Sequence, residues 1–146
     1  MSKTPVNHPT DDSVDDYIAS LPTQRQQDDS RTLIALMRDI SGHEPRLWNG
    51  GTIGFDQFEY RYASGHHGVC QTISFRPSAR QLTVYLMDGT ARYAVQLAHL
   101  GPHTTSKACL YIRNLDAIDL GVLRAILSES YRHLSTGGDM HRKPAS

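Results

Sequence analysis

Cysteine is scarce in this chain: Cys70 and Cys109 are the only two in 146 residues, and no Cys-x-x-Cys spacing relates them. That excludes a disulfide-dense secreted scaffold and a cysteine-built zinc site, and two reduced, partly buried thiols are expected. Tryptophan occurs once, as Trp48. An excess of either charge is missing too. Fifteen basic residues meet fifteen acidic ones, so no global field points to nucleic acid or an anionic membrane. No apolar run is long enough to cross a bilayer. The stretch from Met1 to Pro9 has no apolar segment of the kind a secretory signal carries, so the expected location is the cytoplasm.

What is present describes one folded domain. A hydrophobic content of 38% with 21% charged residues suits a globular chain rather than a disordered one. Residues 1–12 and 135–146 read as flexible tails, and 13–134 as a single domain without linker, repeat or low-complexity tract.

Helical periodicity comes first. Ser13 or Asp12 can cap a short helix with Val14, Tyr17, Ile18 and Leu21 on one side, ended by Pro22. A second helix is expected from Thr23 to Ser41, with a stripe of Leu33, Ile34, Leu36, Met37 and Ile40 and with Gly42 beyond its end. The period then changes to two. A short strand around Trp48 to Phe55 is expected to be broken by Gly50-Gly51 and Gly54. Phe58, Tyr60 and Tyr62 alternate with polar residues, as do Ile73 and Phe75, then Leu82, Val84 and Leu86. Thr90 is placed to cap a helix carrying Tyr93, Leu97 and Leu100. A strand over 108–113 follows, and Asp116 opens a last helix with Asp119 nearby. The fold class expected is α+β: a two-layer, mostly antiparallel sheet of about five strands with helices on one face, in the order α-α-β-β-β-β-α-β-α.

Candidate chemistry is sparse. Tyr60, Tyr62, Tyr85 and Tyr111 can converge on one sheet face, where phenols offer apolar area with a polar tip. Each is equally at home bordering a core. Trp48 and Asn49 precede a glycine turn and either line a pocket or anchor the core. Lys107, with Arg76 and Arg80, can form a local anion site. His66-His67, and His99 with His103 across Gly101-Pro102, give no convergent set of metal ligands. Asp11, Asp12, Asp15, Asp16, Asp28 and Asp29 suit helix starts and solvation, with weak cation binding as the alternative. There is no phosphate-binding glycine loop, no nucleophile elbow and no spaced Cys–His pair. No catalytic residue, metal ligand or cofactor is assigned. In the stretch Lys107 to Leu120, alternation turns Leu110 and Ile112 to the core and Cys109, Tyr111 and Arg113 to the other face.

Five short stretches carry a family likeness: Tyr17-Ile-Ala-Ser-Leu-Pro22, Glu44-Pro-Arg-Leu-Trp-Asn49, Tyr60-Arg-Tyr-Ala-Ser-Gly65, Phe75-Arg-Pro77 and Lys107-Ala-Cys-Leu-Tyr-Ile-Arg113. Together they resemble the YdhG-like family of domains of unknown function, over roughly residues 13–134. The resemblance implies a small α+β domain from a bacterial cytoplasm. One branch of that family is described as a frataxin-like iron chaperone, which implies an acidic ridge; Asp12, Asp15, Asp16, Asp28 and Asp29 are the residues available for one. Ser106 stands where related sequences tend to have glycine before the lysine.

The leading functional expectation is a non-enzymatic domain that binds a small molecule or a protein through the aromatic sheet face. This includes self-association as a homodimer, with neither nucleic acid nor membrane as partner. Frataxin-like iron handling and an enzyme acting on an anionic small molecule are the alternatives.

Overall fold

The computed structural model describes residues 8–61 and 67–136, with the side chains of Tyr60, Arg61 and His67 outside that description. Tyr62 lies outside the described residues altogether. The described residues fold as an open antiparallel sheet of six strands with four helices, an α+β architecture as the periodicities imply.

Helix α1 (Val14–Ala19) starts at Ser13, whose hydroxyl accepts from the Asp16 amide. Helix α2 (Gln24–Ser41) starts at Thr23 with a capping box. The Thr23 side chain accepts from the Gln26 amide, and the Gln26 side chain returns to the Thr23 amide. It ends at Gly42, whose φ of 71° is the left-handed conformation that glycine adopts without penalty.

The strands are β1 (Pro45–Trp48), β2 (Thr52–Arg61), β3 (His67–Pro77), β4 (Leu82–Tyr85), β5 (Thr104–Thr105) and β6 (Cys109–Ile112), ordered β1-β2-β3-β4-β6-β5. The expected strand around Trp48 to Phe55 is thereby corrected. Gly50 and Gly51, with φ of 83° and 85°, are the tight turn between two strands rather than a flaw in one. Thr52 to Phe55 continue into the expected strand of Phe58 and Tyr60 as β2, so the division leaves the number of strands unchanged, and the two-residue β5 raises it from about five to six.

Two helix starts also differ from expectation. Thr90 opens a single 3-10 turn, Thr90–Tyr93, before α3 (Ala94–Leu97), and its hydroxyl is drawn away to the Ser106 carbonyl at 2.7 Å. Asp116 lies in another 3-10 turn, Leu115–Ala117, capped by Asn114. The last helix, α4 (Leu120–Ser135), begins at Asp119, whose carboxylate accepts from the Gly121 and Val122 amides. Part of the expected N-terminal tail is attached as well: Pro9 bridges to Trp48, and the Thr10 amide donates to the Leu47 carbonyl at 2.8 Å.

Sheet alternation separates two faces. Ile53, Phe55, Ile73, Phe75, Val84, Leu110 and Ile112 point one way and are fully buried with Leu33, Met37, Leu123, Ile126 and Leu127 from α2 and α4. Each such aliphatic side chain contributes about 1.5–3 kcal/mol on burial. All four helices give apolar residues to this one cluster. The other face is left to whatever the opposite parity supplies.

A buried polar junction closes the helix side. The Asp88 side chain is fully enclosed. It accepts from Tyr93 Oη, from Ser130 Oγ at 2.6 Å and from His133 Nδ1 at 3.1 Å, with Arg92 Nε 3.6 Å away. Asp88-Gly89 has the composition of a turn, which it forms, but its carboxylate also ties the end of β4 to α4.

Candidate functional site

The register of the sheet lays out the second face in rows. Arg76 on β3 is opposite Thr83 on β4, Thr83 is opposite Tyr111 on β6, and Tyr111 is opposite Thr104 on β5. The adjacent row runs Gly54, Ser74, Tyr85 and Cys109. Strands about 4.8 Å apart therefore bring Arg76, Tyr85 and Tyr111 onto one patch. Electrostatics agrees. Burial pushes the Tyr85 phenol up from its ordinary pKa, a hydrogen bond with Thr52 and the Arg76 charge pull it back, and Cys109 and Tyr111 add to the rise.

The Arg76 side chain is anchored at its inner end. Its Nε donates to the Gly50 carbonyl at 2.9 Å, and Tyr17 Oη donates to the Gly51 carbonyl at 3.2 Å. The β1–β2 turn is thus held from two sides. A Cβ on Gly51 would sit 2.6 Å from the Tyr17 oxygen, so the turn also needs glycine for space. Burial raises the Tyr17 pKa while Arg76 lowers it. Among the described residues no carboxylate pairs with Arg76, and the Nη end of its guanidinium is uncommitted.

Beneath this patch the sheet is unusually polar. Thr72 and Ser74 are buried to 1% and 0% exposure, and neither hydroxyl has a hydrogen-bond partner. Trp48 is buried at 2% outside the helix-side cluster. A Cβ on Gly54 would meet its Nε1 at 2.8 Å and Gln71 Cγ at 2.6 Å, so indole and amide lie over the glycine. Beside Gly54, β2 departs from regular geometry. Asp56 has φ 62°, and its carboxylate accepts from Tyr131 Oη and from the Gln57 amide, both at 2.8 Å.

The sequence-derived candidates divide accordingly. Arg76, Tyr85 and Tyr111 are brought together. Tyr60 is not with them: its partner on β3 is Gly68, six residues from the Ser74 that faces Tyr85, or about 20 Å along the strand. β4 pairs only with Ser74 to Pro77, so the far arm of the β2–β3 hairpin runs past it. Trp48 is an anchor of the second face whose edge also borders a recess of about 190 Å³ beside His43 and Asp56. Asn49 holds the N-terminal segment, its Oδ1 accepting from the His8 amide at 2.8 Å. Lys107 is exposed, and it is its carbonyl that is engaged, by the Thr90 amide at 2.9 Å. Arg80 is exposed in the β3–β4 turn.

Residues that sequence reasoning did not assign to a binding site, with Tyr111, complete the patch. Gln81, Pro102, His103, Thr104, Tyr111, Arg113 and Asn114 line an apolar groove of about 330 Å³ at the β5–β6 edge. Tyr111 alone signalled it; the loop 101–105 reaches it only through the unanticipated β5.

Elsewhere, three of the six N-terminal aspartates are matched by cations, while Asp12, Asp15 and Asp16 have no ion pair among the described residues. Asp11 lies 3.9 Å from Arg46, Asp29 3.7 Å from Arg25, and Asp28 3.8 Å from Arg31. No group of three His, Cys, Asp or Glu side chains is placed to hold a metal ion among the described residues. No described helix is long and apolar enough to cross a membrane. Comparison with protein families, with curated proteins and with solved structures gives no match.

Proposed function

We propose that this chain is a non-enzymatic cytoplasmic binding module whose ligand, a small anionic molecule, seats on the second face of the sheet between Arg76 and Tyr111. The observation that carries this reading is the row Arg76–Thr83–Tyr111–Thr104 with Tyr85 alongside. It sets a guanidinium with an uncommitted Nη end among phenols that supply apolar area and polar tips. Binding is favoured over catalysis because burial raises the pKa of the Tyr85 phenol, so near neutral pH it is a hydrogen-bond donor rather than a base.

A small ligand is favoured over self-association by the exposed surface. The strongly exposed large apolar side chains among the described residues are Val95 and Leu120, on α3 and α4 rather than on this face. Both cysteines are free, in keeping with a reducing compartment. Iron handling has no convergent group of His, Cys, Asp or Glu side chains to rest on among the described residues.

Calorimetric titration of a panel of small carboxylates and phosphates tests the reading. Saturable binding is expected, weakened about tenfold or more by Arg76→Gln, since a charge-assisted hydrogen bond contributes about 1.5–3 kcal/mol. Binding that Arg76→Gln leaves intact would remove Arg76 from the site. A panel without a single saturable ligand would end the reading.

A further inference from the structure

We infer that the groove at the β5–β6 edge is the part of this face that selects the ligand, and that it takes a ring-bearing monocarboxylate. The inference rests on the face-binding reading and deepens it. The groove encloses about 330 Å³, at the small end of the range for ligand sites. Tyr111 lines it, its Oη held by a 3.1 Å hydrogen bond with Ser106 Oγ. Its wall is the Pro102 ring with the His103 imidazole.

That wall is set by backbone geometry. Gly101 has φ 116°, and a Cβ there would lie 2.8 Å from the Ala117 carbonyl oxygen, so the loop is clamped against the turn ahead of α4. His103 Nδ1 lies 2.7 Å from the Gly101 carbonyl; with the proton on Nδ1 it donates there, which orients the ring. A phenol, a pyrrolidine ring and an imidazole lining one apolar groove suit a planar ring.

Charge decides the rest of the ligand. Arg113 is the one fully charged residue lining the groove, and no Asp or Glu lines it. Among the described residues its guanidinium has no ion pair or hydrogen bond. Beside it, Asn114 Oδ1 is already used by the Arg25 guanidinium and the Asp116 amide, so the donor Nδ2 is what Asn114 has left to offer. One planar fork at the end of an apolar slot matches one carboxylate, bound bidentately, better than a phosphate that would prefer several cations. Arg76 lies in the same sheet row as Tyr111 with Thr83 between them, so the two arginines are separate anchors.

Benzoate, its neutral isostere benzamide, and acetate are the probes, titrated into the full chain by calorimetry with amide-shift mapping. Benzoate is expected to saturate, with shifts centred on His103, Thr104, Tyr111 and Arg113. Benzamide and acetate are expected to bind about tenfold more weakly or worse, one lacking the charge and the other the ring. Arg113→Gln should lose about tenfold in benzoate affinity, Arg113→Lys should recover part of it, and Arg31→Gln on the helix side should leave it within about twofold. Arg113 is exposed, so an unchanged amide spectrum away from the groove confirms that these variants fold. Benzoate shifts centred on Arg76 and Tyr85 and indifferent to Arg113→Gln would overturn the groove assignment while the face-binding reading survives. No saturable benzoate shift at millimolar concentration overturns the groove assignment by itself; the face-binding reading fails separately, if the whole anion panel is silent.

Discussion

Replacing Asp88 by alanine should be among the most damaging single changes in this domain, and the junction it forms sets the size of the loss. Three donors converge on its carboxylate: Tyr93 Oη, Ser130 Oγ at 2.6 Å and His133 Nδ1 at 3.1 Å. Tyr93 and Ser130 are both at 0% exposure, so water cannot take the place of the lost acceptor. Each buried group left without a partner costs about 1–3 kcal/mol, so the two hydroxyls together predict a loss of about 2–6 kcal/mol. Against a typical domain stability of about 5–15 kcal/mol, that approaches half the total. Urea unfolding followed by far-UV circular dichroism and by the fluorescence of Trp48, the sole tryptophan, measures it. A double-mutant cycle gives the sharper test. In the wild-type background Tyr93→Phe should cost about 1 kcal/mol, for one hydrogen bond removed. In the Asp88→Ala background the same change should be neutral or stabilising, because it removes a hydroxyl already stranded. Equal costs in the two backgrounds would show that Asp88 acts through packing alone and refute the reasoning.

Two further outcomes follow from other contacts. Gly54→Ala should destabilise by about 1–3 kcal/mol and shift the Trp48 emission to the red, since the added methyl meets Trp48 Nε1 at 2.8 Å and Gln71 Cγ at 2.6 Å; unchanged emission would mean the indole does not lie over Gly54. Stability should also fall on the alkaline side. Burial first, then the Asp56 contact, pushes Tyr131 up to about 12 from an ordinary 10.0, so the unfolded chain gives up that proton earlier than the folded one. The stabilisation is complete below about pH 10 and lost as pH rises toward about 12, and Tyr131→Phe should flatten that fall in pH-dependent urea midpoints; an unaltered slope would contradict it.

Much of the fold was legible because its local signals agree with its tertiary ones. Ser13, Thr23 and Gly42 bound two helices by capping chemistry that acts within four residues, and the period-two stretches on β4 and β6 have one buried face. The errors fall where long-range contacts override local preference. Thr90 looks like a helix cap, yet its hydroxyl bonds to Ser106, sixteen residues on. Gly50-Gly51 looks like an interruption, yet Tyr17 and Arg76 grip it as a turn. The site was half legible for the same reason. Alternation identified Arg76, Tyr85 and Tyr111 as candidates, but which of them are neighbours depends on register, and register placed Tyr60 opposite Gly68, away from the patch. The groove residues Pro102, His103 and Arg113 come from segments whose contact depends on a two-residue strand, β5, too short to leave a periodic trace.

Amide-shift mapping of a bound small anion on the full chain tests the central claim most directly. The claim predicts shifts along the row Arg76, Thr83, Tyr111 and Thr104 and at Tyr85, while amides of α2 and α4 stay still. Shifts confined to the helix side, or to Asp11 and Asp12 before α1, would contradict it.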